Sequence, residues 1–132
     1  MRAVVISGSR DWGTDASEET ERLKALVVEA LKPYPPDSHY IVHGGCQGVD
    51  YTAGAVAKAL GYQVKVYHAD WARYKKPAGP IRNREMVDKE QPVVVLLVHP
   101  DLAQSKGTKD MLRYVTKKGI PFSLYEKTTT IG

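Results

Sequence analysis

Apolar residues in this chain gather into five short runs, and a different periodicity fills the intervals between them. The runs are AVVIS (3–7), YIVH (40–43), QVKVY (63–67), PVVVLLV (92–98) and PFSLY (121–125). Each has the length of a strand, and the unbroken apolar character of VVVLLV is that of a strand covered on both faces. Between the first two runs, Leu23, Leu26, Val27, Ala30 and Leu31 follow the i, i+3, i+4, i+7, i+8 spacing of one helix face. Val49, Ala53, Val56, Ala57 and Leu60 do much the same between the second and third. A third, shorter helix is expected over about 80–89, since a proline is accommodated in a first helical turn. A fourth is expected over about 106–118, where Gly119 and Pro121 supply the stop signal.

Strands and helices thus alternate strictly, which predicts an α/β fold with a parallel sheet and helices on both faces, because right-handed crossovers place them there. The expected architecture is a Rossmann-like three-layer sandwich with five parallel strands in the order 3-2-1-4-5. Its ligand crevice should lie outside the carboxyl ends of strands 1 and 4, where the winding reverses. Residues 1–126 read as one domain, and EKTTTIG at the end reads as a frayed tail, flexible over 127–132.

Composition narrows the class without naming a function. With 132 residues, 42% hydrophobic and 26% charged, the chain has the balance of an ordinary folded domain and not that of a disordered or fibrous one. Its apolar runs fall well short of the roughly 20 residues that span a bilayer, and the first strand begins almost at Met1. Both point to a cytoplasmic protein with no membrane partner, and the lone Cys46, which cannot form an internal disulfide, agrees with a reducing compartment. The net charge is +4, and residues 65–86 carry Lys65, Arg73, Lys75, Lys76, Arg82 and Arg84 against only Asp70 and Glu85. Positive charge gathered in one region suits a local anion such as phosphate better than a broad nucleic-acid face.

The loops divide by chemistry. Helix-to-strand turns (KPYPPDS, GY, KEQ, KGI) are ordinary, whereas the strand-to-helix loops are SGSRDWGTD (7–15), HGGCQGVD (43–50), HADWARYKKPAGPIRN (68–83) and HPDLAQSKGT (99–108). Glycines, arginines, both tryptophans and three of the four histidines therefore meet at one rim, the rim at which such sheets bind ligands. Gly44, Gly45 and Gly48 stand where strand 2 enters helix 2. Either they make a tight turn, or their missing side chains let amides at a helix N-terminus reach an anion. Gly8, Ser9 and Arg10 follow strand 1, and Ser105, Gly107 and Thr108 open helix 4 with hydroxyl donors. Asp50, one turn into helix 2, suits the helix dipole, could pair with Arg10, or could bond a ligand ribose. Arg82 and Asn83 begin helix 3 behind AGPI, aiming a guanidinium at phosphate or carboxylate. Trp12 and Trp71 could stack on a base or pack their loops. His43, Cys46, His68 and His99 share the rim but not the spacing of a metal motif, so neither a metal nor a cofactor is assigned. No nucleophile elbow and no P-loop lysine is present.

The combination of GSRDW (8–12), HGGCQGVD (43–50), ADW and AGPIRNREM (69–71 and 78–86), and SKGT followed by Asp110 resembles the YspA-type, YpsA-related branch of the SLOG superfamily. These are Rossmann-like proteins related to the Lonely Guy phosphoribohydrolases and to DNA-processing protein A. The resemblance runs from Val4 to Tyr125. It implies a pocket for a nucleotide or nucleotide-derived ligand that is sensed or processed, in phage, defence or stress contexts, in proteins that often form homo-oligomers. The hydrolase motifs carry over in part. Arg82 and Met86 match the R-K-x-x-M stretch with Asn83 in place of lysine, while Gly107 and Thr108 match P-G-G-x-G-T-x-x-E with Met111 where its glutamate would stand. On that basis N-glycosidic cleavage would use Arg82 on phosphate, with Asp110 or Asp50 steering a water or stabilising charge on the ribose. The resemblance to DNA-processing protein A implies an alternative, single-stranded DNA binding, for which WARYKK (71–76) is the one stretch that interleaves bases with aromatics.

Overall fold

Alternation along the central strands decides which of two cores each side chain enters. In the computed structural model, which describes residues 1–12 and 17–126, β1 (Arg2–Gly8) sends Val4 and Ile6 to one face of the sheet and Ala3 and Val5 to the other. β2 (His39–His43) and β4 (Val94–His99) flank it in parallel, with Val4 opposite Ile41 and Ile6 opposite Leu96. β3 (Val64–Val66) and β5 (Phe122–Glu126) form the edges, and the order is β3-β2-β1-β4-β5. The expected five-stranded parallel sheet and its 3-2-1-4-5 order are both present. The end of the first rim loop and the expected tail at 127–132 lie outside the described residues.

Helices α1 (Glu18–Leu31) and α2 (Val49–Ala59) cover the first face, where Leu23, Val27, Val49, Ala53 and Ala57 pack on Val4, Ile6, Ile41 and Leu96. Helices α4 (Ala78–Glu90) and α5 (Gly107–Lys118) cover the second, where Met86, Val87, Met111 and Val115 pack on Val5, Val42, Val95 and Leu97. Burying each such side chain contributes about 1.5–3 kcal/mol, so the two cores together fix the positions from which the rim loops depart. Ser17 caps α1 by accepting from the Thr20 amide at 3.4 Å, and Gly119 ends α5 in the left-handed region at φ 71°.

Two local differences from the sequence reading bear on the site. The third helix begins at Ala78, two residues before Pro80, because the residues ahead of a proline can still form the open first turn. The long loop ahead of it holds a one-turn helix, α3 (Trp71–Tyr74), capped by Asp70, which accepts from the Arg73 amide at 3.1 Å. That turn fixes where Trp71 stands.

Candidate ligand site

The first two rim loops are locked together at their glycines. Gly48 has φ 84°, and a Cβ there would lie 2.4 Å from the Ser9 carbonyl oxygen, so only glycine fits. The close approach lets the Val49 amide, an orphan donor at the start of α2, donate to that same carbonyl at 2.9 Å. Beside it, a Cβ at Gly8 would meet the Val98 carbonyl at 2.2 Å and the Val49 side chain at 2.6 Å. The crevice expected between strands 1 and 4 is therefore filled at Gly8 by the first residue of α2.

Two of the three glycine amides expected to reach an external anion, those of Gly44 and Gly45, already have acceptors, as does the Cys46 amide between them and Gly48. Gly44 and Cys46 donate to Asp50 Oδ2 at 3.1 and 3.3 Å, and Gly45 donates to His43 Nδ1 at 3.0 Å. Asp50 is 4% exposed, and its second oxygen, Oδ1, has no hydrogen-bond partner among the described residues. Burial drives its carboxyl up to about 6, against the pull of the Cys46 amide, the Arg82 charge and the Gly44 and Gly8 amides. His43 is also buried, and burial together with the positive fields of His68, Lys58 and Arg82 lowers it to about 4. The neutral imidazole accepts at Nδ1, and Gly54 on α2 leaves room for Nε2, where a Cβ would approach to 2.7 Å.

Arg82 reaches this loop from the opposite helical layer. Its Nη1 donates to the Gly44 carbonyl at 2.7 Å and lies 3.6 Å from Cys46 Sγ, while Nε donates to Asn83 Oδ1 at 3.0 Å. A Cβ at Gly44 would lie 2.7 Å from the guanidinium carbon, so that glycine accommodates Arg82. Nη2 has no acceptor among the described residues, leaving one edge of the fork for a ligand. Arg82 lines a cavity of about 320 Å³ together with Arg10, Gly44, Gly45, Cys46, Gln47, His68, Ala69 and Trp71. Two arginines and a histidine border it, and among the described residues no carboxylate does. Trp71 is 45% exposed and carries the Arg10 guanidinium 5.4 Å from its ring centre, a cation–π contact in which both partners also face the cavity.

The residues expected at one site thus divide. Arg10, Gly44, Gly45, Trp71 and Arg82 line the cavity, whereas Gly8, Ser9 and Gly48 form the joint behind it. Asn83 lies between the cavity and the start of α5: its Oδ1 accepts from Arg82, and its Nδ2 is 3.5 Å from the Gly107 carbonyl and 3.4 Å from Asp110 Oδ2. Ser105 and Thr108 are buried, with Ser105 Oγ accepting from the Thr108 amide at 2.9 Å, so their polar groups close the helix turn. Asp110 pairs with Arg84 at 3.5 Å, and Met111, at the position of the hydrolase glutamate, is fully buried under the sheet. Trp12 is 7% exposed within the α1–α2 core and donates its indole N–H to the Glu19 carbonyl at 3.2 Å, so it is a core residue and not a stacking platform. The cavity lies over β2 and β3, with Arg10 reaching it from the β1 loop, and not over the β1–β4 boundary. His68, Cys46 and Gln47 on its wall carried no ligand role in the sequence reading. Their signal was position alone, directly after β3 and within the glycine loop.

Among the described residues no group of three or more His, Cys, Asp or Glu could hold a metal ion, and no helix is long and apolar enough to cross a membrane. No solved structure matches the chain. It is 36% identical over 126 residues to the gene 61 protein of Mycobacterium phage D29, an alignment covering 92% of this chain and 94% of that one. A model of the YspA, cpYpsA-related SLOG family matches residues 2–74, the span that holds the β1 loop, the glycine loop with Asp50, and Trp71. The locked glycine joint, the parallel sheet and these two matches lead to one placement: the chain belongs to the YspA, cpYpsA-related SLOG family.

Proposed function

We propose that the protein binds a small phosphorylated ligand of the nucleotide class in the cavity over β2 and β3. One observation carries the reading: Arg82, Arg10 and His68 border a cavity that no carboxylate among the described residues lines, next to a half-exposed Trp71. A phosphate would take the unpaired edge of the Arg82 fork, and a base would stack on the indole. At about 320 Å³ the cavity sits at the lower end of the range for small-molecule sites, which favours one nucleoside phosphate over a dinucleotide. Membership of the SLOG family supports a nucleotide-related role of this kind.

Binding is better supported than cleavage. The hydrolase glutamate position holds the buried Met111, Asp110 faces Arg84 and Asn83, and Asp50 lies beneath the glycine loop with its oxygens away from solvent. The test is a melting panel of nucleoside mono- and diphosphates, ADP-ribose and a short single-stranded oligonucleotide, followed by product analysis. A mononucleotide should raise the melting temperature and quench Trp71 fluorescence while remaining intact. Stabilisation by the oligonucleotide alone, with a steep salt dependence, would favour the single-stranded DNA reading, and release of free base would restore the hydrolase one.

A further inference from the structure

We infer that Asp50 acts as an internal counter-ion beneath the ligand cavity, its charge opposing that of an anion at Arg82, so that the ligand enters together with a proton. The inference rests on the cavity being an anion site and concerns how that site responds to pH. Asp50 does not itself line the cavity but lies behind two residues that do. It is a positioning residue, holding the Gly44 and Cys46 amides through Oδ2, and those two residues in turn supply the carbonyl and the sulfur that face Arg82 Nη1.

Three features make its charge state consequential. The carboxylate is buried, so its field is weakly screened, and Arg82 is the charged side chain acting on it. Its remaining neighbours are the amides of Gly8, Gly44 and Cys46, which favour the anion without neutralising it. Among the described residues Oδ1 accepts no hydrogen bond of good geometry, so a proton can reside there without breaking the Oδ2 contacts that shape the loop. With its carboxyl at about 6, Asp50 is mostly ionised at pH 7.5 and mostly protonated at pH 5.5. A dianion brought to Arg82 raises that value further, so binding is tighter on the acid side. His43 is held neutral above about 4 and does not change over this range, whereas His68, on the cavity wall, is the group whose contribution must be separated.

Inorganic sulfate is the probe, because it stays a dianion throughout. Its affinity for the wild-type protein, by calorimetry, should rise on the order of fivefold from pH 7.5 to 5.5. Asp50→Asn keeps an oxygen for the two amides and removes the charge. It should bind sulfate at pH 7.5 about as tightly as the wild type does at pH 5.5, with most of the pH dependence gone. His68→Gln should bind more weakly overall yet keep the dependence, and it decides the matter alone if Asp50→Asn does not fold. A folded Asp50→Asn protein that binds sulfate more weakly at pH 7.5, or a His68→Gln protein without the pH dependence, overturns the inference while leaving the binding reading intact. A wild-type protein that binds no sulfate at any pH overturns both.

Discussion

Replacing Gly44 by alanine separates a glycine kept for the protein's own arginine from one kept for a ligand. The Gly44 backbone is not in the left-handed region, so alanine brings no backbone strain, and its effect on the unfolded chain alone would stabilise by about 0.4–1 kcal/mol. Against this, the new Cβ would lie 2.7 Å from both Cζ and Nη1 of Arg82, whereas ordinary contacts begin at 3.4 Å. Arg82 cannot yield freely, because Nη1 is held by the Gly44 carbonyl at 2.7 Å and Nε by Asn83 at 3.0 Å. Displacing it forfeits a charged hydrogen bond worth about 1.5–3 kcal/mol, and overpacking costs of about 1–3 kcal/mol describe the same displacement. The net expectation for Gly44→Ala is a loss of about 1–2 kcal/mol, read from urea melts whose m value does not change. In an Arg82→Ala background the clash has no partner, and the same substitution should be neutral or slightly stabilising. The double-mutant cycle should therefore give a coupling of about 1.5–3 kcal/mol. Effects that add to within about 0.5 kcal/mol would refute the reasoning, and would mean that Gly44 is small for some visitor to the cavity.

The other two predictions concern carboxylates away from the cavity. Glu90, at the end of α4, has a side chain 6% exposed that accepts from Tyr40 at 2.7 Å, from Lys65 at 2.7 Å and from the Tyr67 hydroxyl. Burial pushes its carboxyl up, but the hydrogen bonds from Lys65, Tyr67 and Tyr40 and the Lys65 charge outweigh burial and hold it near 2. A depressed carboxyl stabilises above its unfolded value and ceases to do so as pH falls through the folded one. The advantage of wild type over Glu90→Gln should therefore shrink between about pH 4.5 and 2. With Lys65 half exposed and screening the pair, the change should be about 1–2 kcal/mol, and an advantage that stays constant over that window in acid melts would contradict the assignment. Asp110→Asn should cost less than about 1 kcal/mol and leave mononucleotide stabilisation unchanged, because it removes a long pair with the half-exposed Arg84, keeps an oxygen for Asn83 Nδ2 and makes no cavity contact. A lost ligand shift in that variant would return Asp110 to the site.

Which parts of this molecule could be read from the chain follows from what a sequence encodes locally. Strand runs, helix spacing and strict alternation define a parallel sheet, and crossover handedness then leaves few orders to choose among, so the 3-2-1-4-5 sheet was legible. The concentration of chemistry at one rim was legible too, since every strand-to-helix loop must emerge there. The occupants of hydrogen bonds were not. HGGCQGVD shows donors at a helix N-terminus, but whether an external phosphate or the chain's own Asp50 faces them depends on a side chain turning back on its loop. The same blindness applied to Trp12 and Trp71. Both sit in polar loops, and only the fold buries the first against α1 and presents the second beside Arg10.

The position of the cavity has its own physical cause. In open α/β sheets the boundary where winding reverses is vacant because neighbouring loops part there. Here the β1 loop does not part from α2: Gly48 lets the two backbones meet, the Ser9 carbonyl takes the Val49 amide, and Val49 and the Val98 carbonyl close the space beside Gly8. The open cavity instead lies toward β2 and β3, beside the short β3 and the one-turn α3. Arg82 must then arrive from the other layer, over the end of β2, and Gly44 must lack a side chain to admit it. The glycines of one loop thus serve distinct ends. Gly48 joins backbone to backbone, Gly44 admits a guanidinium, and Gly45, at φ 71°, turns the chain where a Cβ would meet His68. Loss of any one of them should disturb the cavity by a different route, which is why the Gly44 cycle reads Arg82 and not the loop as a whole.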